Sequence, residues 1–112
     1  MRPISIGIIG VGFGKRVHLP AFRSDSRCQV KGICAAHDDR ALEVAKEFRI
    51  PRTFYRWEEL VRDPEIDAVS IAVPPTLQAP IVCAAARAGK HVFCEKPLSS
   101  SLSCAREMLR CA

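Results

Sequence analysis

Apolar and polar positions along the chain alternate between two periods. Ile4 to Ile9 is apolar and largely β-branched, which predicts a buried strand. Gly10, Gly12 and Gly14 interrupt it, and Arg16 to Arg23 then reads as a helix with Pro20 awkwardly inside it. Gln29 to Ala35 is a second apolar strand. Asp38 or Asp39 caps a helix whose apolar face runs through Ala41, Val44, Ala45 and Phe48 and which ends at Ile50-Pro51. Thr53 to Tyr55 predicts a short strand, and Trp57 to Val61 a short helix closed by Asp63-Pro64. Ala68 to Val73 is a β-branched strand stopped by Pro74-Pro75. Ala79 to Ala88 is alanine-rich and helical, with Gly89 suited to its C-terminal cap. His91 to Cys94 forms a fifth strand, and Ser99 to Ser101 offer caps for a last helix reaching Cys111.

Strands alternating with helices predict an α/β fold with a parallel sheet covered on both faces, the doubly wound sheet foremost. With 112 residues there is room for one domain, residues 1–112, and not for two. About five βα units are expected, with the sixth strand of a full dinucleotide sheet absent. The 48% hydrophobic and 26% charged composition fits a globular chain and excludes disorder. The longest apolar stretch, Ile66 to Pro75, is too short and broken to span a bilayer, and no signal core follows Met1, so a cytoplasmic protein is expected. The net charge of +5 suits an anionic ligand, but the basic residues are scattered and build no nucleic-acid recognition module. None of the 6 cysteines falls in a C-x-x-C pair, so neither zinc nor a disulfide framework is expected; they read as small buried hydrophobes in a reducing compartment.

Four segments carry candidate chemistry. Gly10-Val11-Gly12-Phe13-Gly14-Lys15 follows a strand and opens a helix, the context in which a tight glycine turn lays backbone N–H groups on a pyrophosphate. The strict G-x-G-x-x-G is not met: Lys15 holds the third glycine position and Gly14 lies one residue early. Lys15 is free to point to phosphate or to solvent. At the end of the second strand, Cys34-Ala35-Ala36-His37 lacks the acid that would take the ribose 2′-hydroxyl of NAD. His37 and Arg40 are then candidates for a 2′-phosphate, which favours NADP over NAD; an exposed loop histidine is the alternative. Val73-Pro74-Pro75 lies at the carboxyl end of the fourth strand, as a rigid cofactor wall or as a strand terminator. Glu95-Lys96-Pro97 ends the fifth strand, where a lysine orients a substrate hydroxyl and carries a proton, or forms a surface salt bridge. His18 and His91 have no partners at metal or triad spacing and read as structural.

Taken in order, Gly10-x-Gly12, Val17 to Phe22, Asp63 to Val69, Val73-Pro74-Pro75 and above all Ala88 to Leu98 resemble the glucose–fructose oxidoreductase, inositol dehydrogenase and rhizopine-catabolism family. The resemblance covers essentially the whole chain. It implies an N-terminal Rossmann domain binding NAD or NADP, followed in family members by a second domain with the substrate pocket and oligomer contacts. By the same resemblance Lys96 is the catalytic-site lysine and Glu95 lies at the nicotinamide ribose. The turn from Gly10 to Lys15 then holds the pyrophosphate, and Val73 to Pro75 line the cofactor. Gln78 stands where many members carry a histidine that contacts it. The expectation is therefore the cofactor domain of a nicotinamide-dependent oxidoreductase acting by hydride transfer on a sugar, polyol or related substrate bound through the absent domain. The alternative is a stand-alone, non-catalytic dinucleotide-binding module. No metal, membrane or nucleic-acid partner is expected, and a homo-oligomer is compatible with the unpaired sheet edge.

Overall fold

Five parallel strands in the order β3-β2-β1-β4-β5 form one sheet: β1 (Ile4–Ile9), β2 (Cys28–Cys34), β3 (Arg52–Phe54), β4 (Ala68–Ile71) and β5 (His91–Cys94). The computed structural model describes residues 2–12, 14–35, 38–96, 99 and 101–111, with Asp38 described by its backbone alone. The order reverses at β1, flanked by β2 on one side and β4 on the other, which is the switch point of a doubly wound sheet. β4 lies in register with both neighbours, Ile71 opposite Ile9 and Cys94.

A five-residue π-helical turn, Gly14–His18, leads directly into α1 (Leu19–Arg23). Pro20 falls where the π-helical turn passes into α1, and this irregular junction accommodates its missing N–H. The remaining helices are α2 (Asp38–Phe48), α3 (Trp57–Arg62), α4 (Pro75–Arg87) and α5 (Leu102–Cys111). α4 starts four residues before the predicted Ala79, because Pro75 occupies the first helical position, which proline favours. It ends in a Schellman motif: Gly89 has φ 78°, its N–H reaches Ala86 O, and Lys90 N–H reaches Ala85 O. Ser101, one of the predicted serine caps, accepts the Cys104 N–H at 3.2 Å and so caps α5.

Each face of the sheet has its own core. Ile6, Ile8, Val30 and Ile33 pack with Leu19, Ala41 and Val44 of α1 and α2. Ile9, Val69 and Ile71 pack with Leu60, Ile81, Val82 and Met108 of α3, α4 and α5. No helix among the described residues is long and apolar enough to cross a membrane.

One expectation is corrected here. Cys83 of α4 and Cys111 of α5 are joined by a disulfide, with Cα atoms 5.1 Å apart. Of the free cysteines only Cys34 is buried; Cys28 and Cys94 are half-buried and Cys104 is exposed. Spacing along the chain could not reveal the pair. Its members are 28 residues apart and meet because α5 folds back onto α4.

Candidate active site and cofactor cleft

The glycine turn solves a problem set by strand packing. Gly10 has φ 105°, and a Cβ there would lie 2.5 Å from the Ala72 carbonyl oxygen, so β1 and β4 approach too closely for any side chain. At Gly14 a Cβ would meet Ile8 Cγ2 at 3.0 Å. Gly14 thus provides the close helix-to-strand packing of the third fingerprint glycine, and the π-helical turn accommodates its early position. A Cβ at Gly12 would meet nothing within 4 Å, and the residue faces open space in the cleft. That is the vacancy a dinucleotide backbone requires. The residues present therefore fit a pyrophosphate.

Two clefts lie at the carboxyl ends of the strands. The larger, about 580 Å³, runs from Gly10–Gly12 past Cys34, Ala35 and Arg40 to Arg56 and Trp57. The smaller, about 430 Å³, is lined by Ala72, Val73, Pro74, Glu95 and Lys96. Ala72–Pro74 line both clefts and form a shared ridge, with Pro75 immediately behind it at the start of α4.

The predicted site residues separate accordingly. Gly10, Gly12, Arg40, Val73, Pro74, Glu95 and Lys96 line the two clefts. Lys15 does not: its Nζ lies 3.2 Å from Glu47 Oε2 of α2, facing a carboxylate. Gln78 lines neither cleft. Fully buried, it donates its amide to Val73 O at 3.2 Å and accepts the Cys94 thiol. Burial, with the charge of Glu95 second, pushes the Cys94 thiol up to about 11, so it stays protonated and able to donate. Gln78 thereby ties the ridge to the end of β5. Phe13, Ala36 and His37 lie outside the described residues.

Sequence reasoning passed over two parts of the site. Tyr55, Arg56, Trp57 and Glu58 line the larger cleft beyond Arg40. The rule that ligands gather at the carboxyl ends of strands could have found them at the end of β3. Arg56 donates to Glu58 at 3.1 Å, which offsets the one carboxylate among the described residues lining that cleft. The second is His18. It is buried and bonded on both ring nitrogens, Nδ1 to Ser70 Oγ at 2.6 Å and Nε2 to Glu95 Oε2 at 2.7 Å. The hydrogen bond from His18 is the main cause holding the Glu95 carboxyl below its ordinary range. An ionised carboxylate only accepts, so His18 Nε2 carries the proton and donates it. No local spacing signals this contact, which joins residues 77 positions apart.

Among the described residues, only Cys83, Glu107 and Cys111 gather at metal-ligand spacing, and the two sulfurs are bonded to each other, leaving no thiolate to offer.

A parallel sheet with its switch point at a glycine turn, open over a cleft, defines a dinucleotide-binding Rossmann domain. The family described as an oxidoreductase family with an NAD-binding Rossmann fold matches residues 4–112. The chain belongs to this glucose–fructose oxidoreductase, inositol dehydrogenase and rhizopine-catabolism family and is its NAD(P)-binding domain. It is 41% identical over 96 residues to D-xylose 1-dehydrogenase (NADP(+)) 2 of Haloferax volcanii, covering 85% of this chain and 29% of that protein. It is 33% identical over 98 residues to myo-inositol 2-dehydrogenase of Thermotoga maritima, covering 88% and 29%. The crystal structure of a 3-ketoreductase from Actinomadura kijaniata in complex with NADP and TDP-benzene superposes with a TM-score of 0.89 at 31% identity, over 99% of this chain and 34% of that one. The chain thus spans about a third or less of the length of these relatives.

Proposed function

We propose that this chain binds NADP in preference to NAD, and that it serves an oxidoreductase acting on a small hydroxylated compound, a sugar or polyol, or on its carbonyl form. The preference rests on one observation. The larger cleft has Arg40 and Arg56 beyond the glycine turn, while Cys34 and Ala35 close β2 without a carboxylate. Two guanidiniums thus line the cleft that a 2′-phosphate would enter, Arg56 paired with Glu58, and residues 34–37 supply no acid to select a free 2′-hydroxyl. The substrate class follows from the sugar and polyol dehydrogenases among the relatives. The bound nicotinamide supplies hydride transfer. The chain's own part is to cradle the pyrophosphate on the Gly10–Gly12 backbone and to hold the cofactor against the ridge. Lys96 is presented in the smaller cleft, where its amine orients the reacting hydroxyl and carries its proton.

Titrating the chain with NADPH and NADH by nicotinamide fluorescence tests the preference. NADPH is expected to bind at least about tenfold more tightly, a difference of about 1.4 kcal/mol. Arg40→Ala and Arg56→Ala should each narrow the gap by weakening NADPH alone. Equal or tighter binding of NADH overturns the preference and leaves the family assignment intact.

A further inference from the structure

We propose that His18 is a positioning residue for Lys96, acting through Glu95. The inference rests on the reading of Lys96 as the catalytic-site lysine and of Glu95 as the residue at the nicotinamide ribose. Glu95 uses both carboxylate oxygens: Oε2 accepts from His18 Nε2 at 2.7 Å, and Oε1 accepts the backbone N–H of Lys96 at 3.2 Å. His18 is itself anchored by Ser70 in β4 at 2.6 Å. The Phe93 ring of β5 stands edge-on to the imidazole, with centroids 5.2 Å apart. Ser70, His18, Glu95 and the Lys96 peptide therefore form one chain of hydrogen bonds. It runs from the middle of the sheet to the mouth of the smaller cleft.

The pattern has a chemical purpose that burial alone does not explain. The Lys96 side chain is exposed, and the residue lies two positions past Cys94, the last residue of β5, just beyond the Glu95 N–H bond to Ile71 O. A carboxylate on the preceding residue could swing freely into solvent. With a buried donor on one oxygen it cannot, and its other oxygen then restrains the peptide that carries the lysine. The π-helical turn brings this about: it places His18 at the base of α1, 3% exposed, while the adjoining Arg16 and Val17 face solvent. π-Turns of this kind recur where a helix aims one side chain at a functional site.

The test titrates the chain and its variants with NADPH and with 2′,5′-ADP, which carries the adenosine half alone. His18→Phe removes the donor while keeping a ring of similar size. It should weaken NADPH about tenfold, the worth of one hydrogen bond to a charged group, and leave 2′,5′-ADP within about twofold. His18→Gln, whose amide places an N–H near the position of Nε2, should recover most of the loss. Ser70→Ala should act in the same direction as His18→Phe and more weakly. Equal weakening of both ligands, or no recovery by glutamine, would show a merely structural histidine and overturn the proposal. Lys96→Met tests the lysine side chain itself. If it leaves NADPH binding unchanged while His18→Phe weakens it, the histidine acts on the nicotinamide end without the lysine side chain, and the proposal is overturned. If the parent chain binds neither ligand, the cofactor reading fails, and the Lys96 amide signal in ¹⁵N spectra decides the relay. That signal should move in His18→Phe and return in His18→Gln; an unmoved signal overturns the proposal.

Discussion

At the scale of single residues, three glycines in one turn make three different demands. Gly10 needs a positive φ and has the Ala72 carbonyl against it, so Gly10→Ala is expected to cost about 2 kcal/mol or more and to lower Tm by roughly 10 °C. At Gly14 only the side-chain methyl of Ile8 is in the way, and the neighbour can shift; Gly14→Ala should cost less. Gly12 has open space before it, so Gly12→Ala should leave thermal stability nearly unchanged and still abolish dinucleotide binding. Thermal melts beside fluorescence titrations of the three variants check this. A Gly12→Ala protein that melts early, or binds normally, contradicts the assignment.

At the scale of elements, the strands and most helices were legible because their patterns are strong and local. β1 and β5 have the predicted limits, and Gly89 and Ser101 cap where caps were expected. β2, β3 and β4 differ at their ends, where apolar residues such as Ala35 and Val73 continue past the last ladder bond into the cleft walls. What sequence could not give was contact across long separations: the bond from His18 to Glu95, the cleft residues at the end of β3, and the Cys83–Cys111 link. That link makes α5 dependent on oxidation. Met108 is its one buried anchor, whereas Leu102 and Leu109 are exposed. Reduction, or Cys111→Ser, should therefore destabilise the chain by about 3.5 kcal/mol from loop entropy. Hydrogen exchange should quicken first in residues 102–111 and last in β1 and β4. Uniform quickening across the domain would contradict α5 as the dependent element.

At the scale of the whole molecule, Asp67 joins the chain's start to the far side of its sheet. Its carboxylate takes two bonds from Arg2 and the backbone N–H of Ser5, while its carbonyl accepts the His91 N–H entering β5. Chiefly through the hydrogen bonds from Arg2, its carboxyl is lowered to about 2. A depressed carboxyl contributes stability above its unfolded value of about 4, and this is lost as pH falls through about 2. Asp67→Asn should therefore be less stable at neutral pH by about 1 kcal/mol and should narrow that gap between about pH 4 and pH 2. Urea denaturation at several pH values measures it, and a gap constant with pH would contradict the assignment.

The ridge from Ala72 to Pro74 has a consequence for how such a domain can change. Because it lines both clefts, a bulkier residue at Val73 narrows the two together. Arg40 and Arg56 touch only one cleft, and Lys96 only the other. Under selection the flanks can drift independently, one altering the choice of cofactor and the other the chemistry, while the ridge between them can accept only changes that both tolerate.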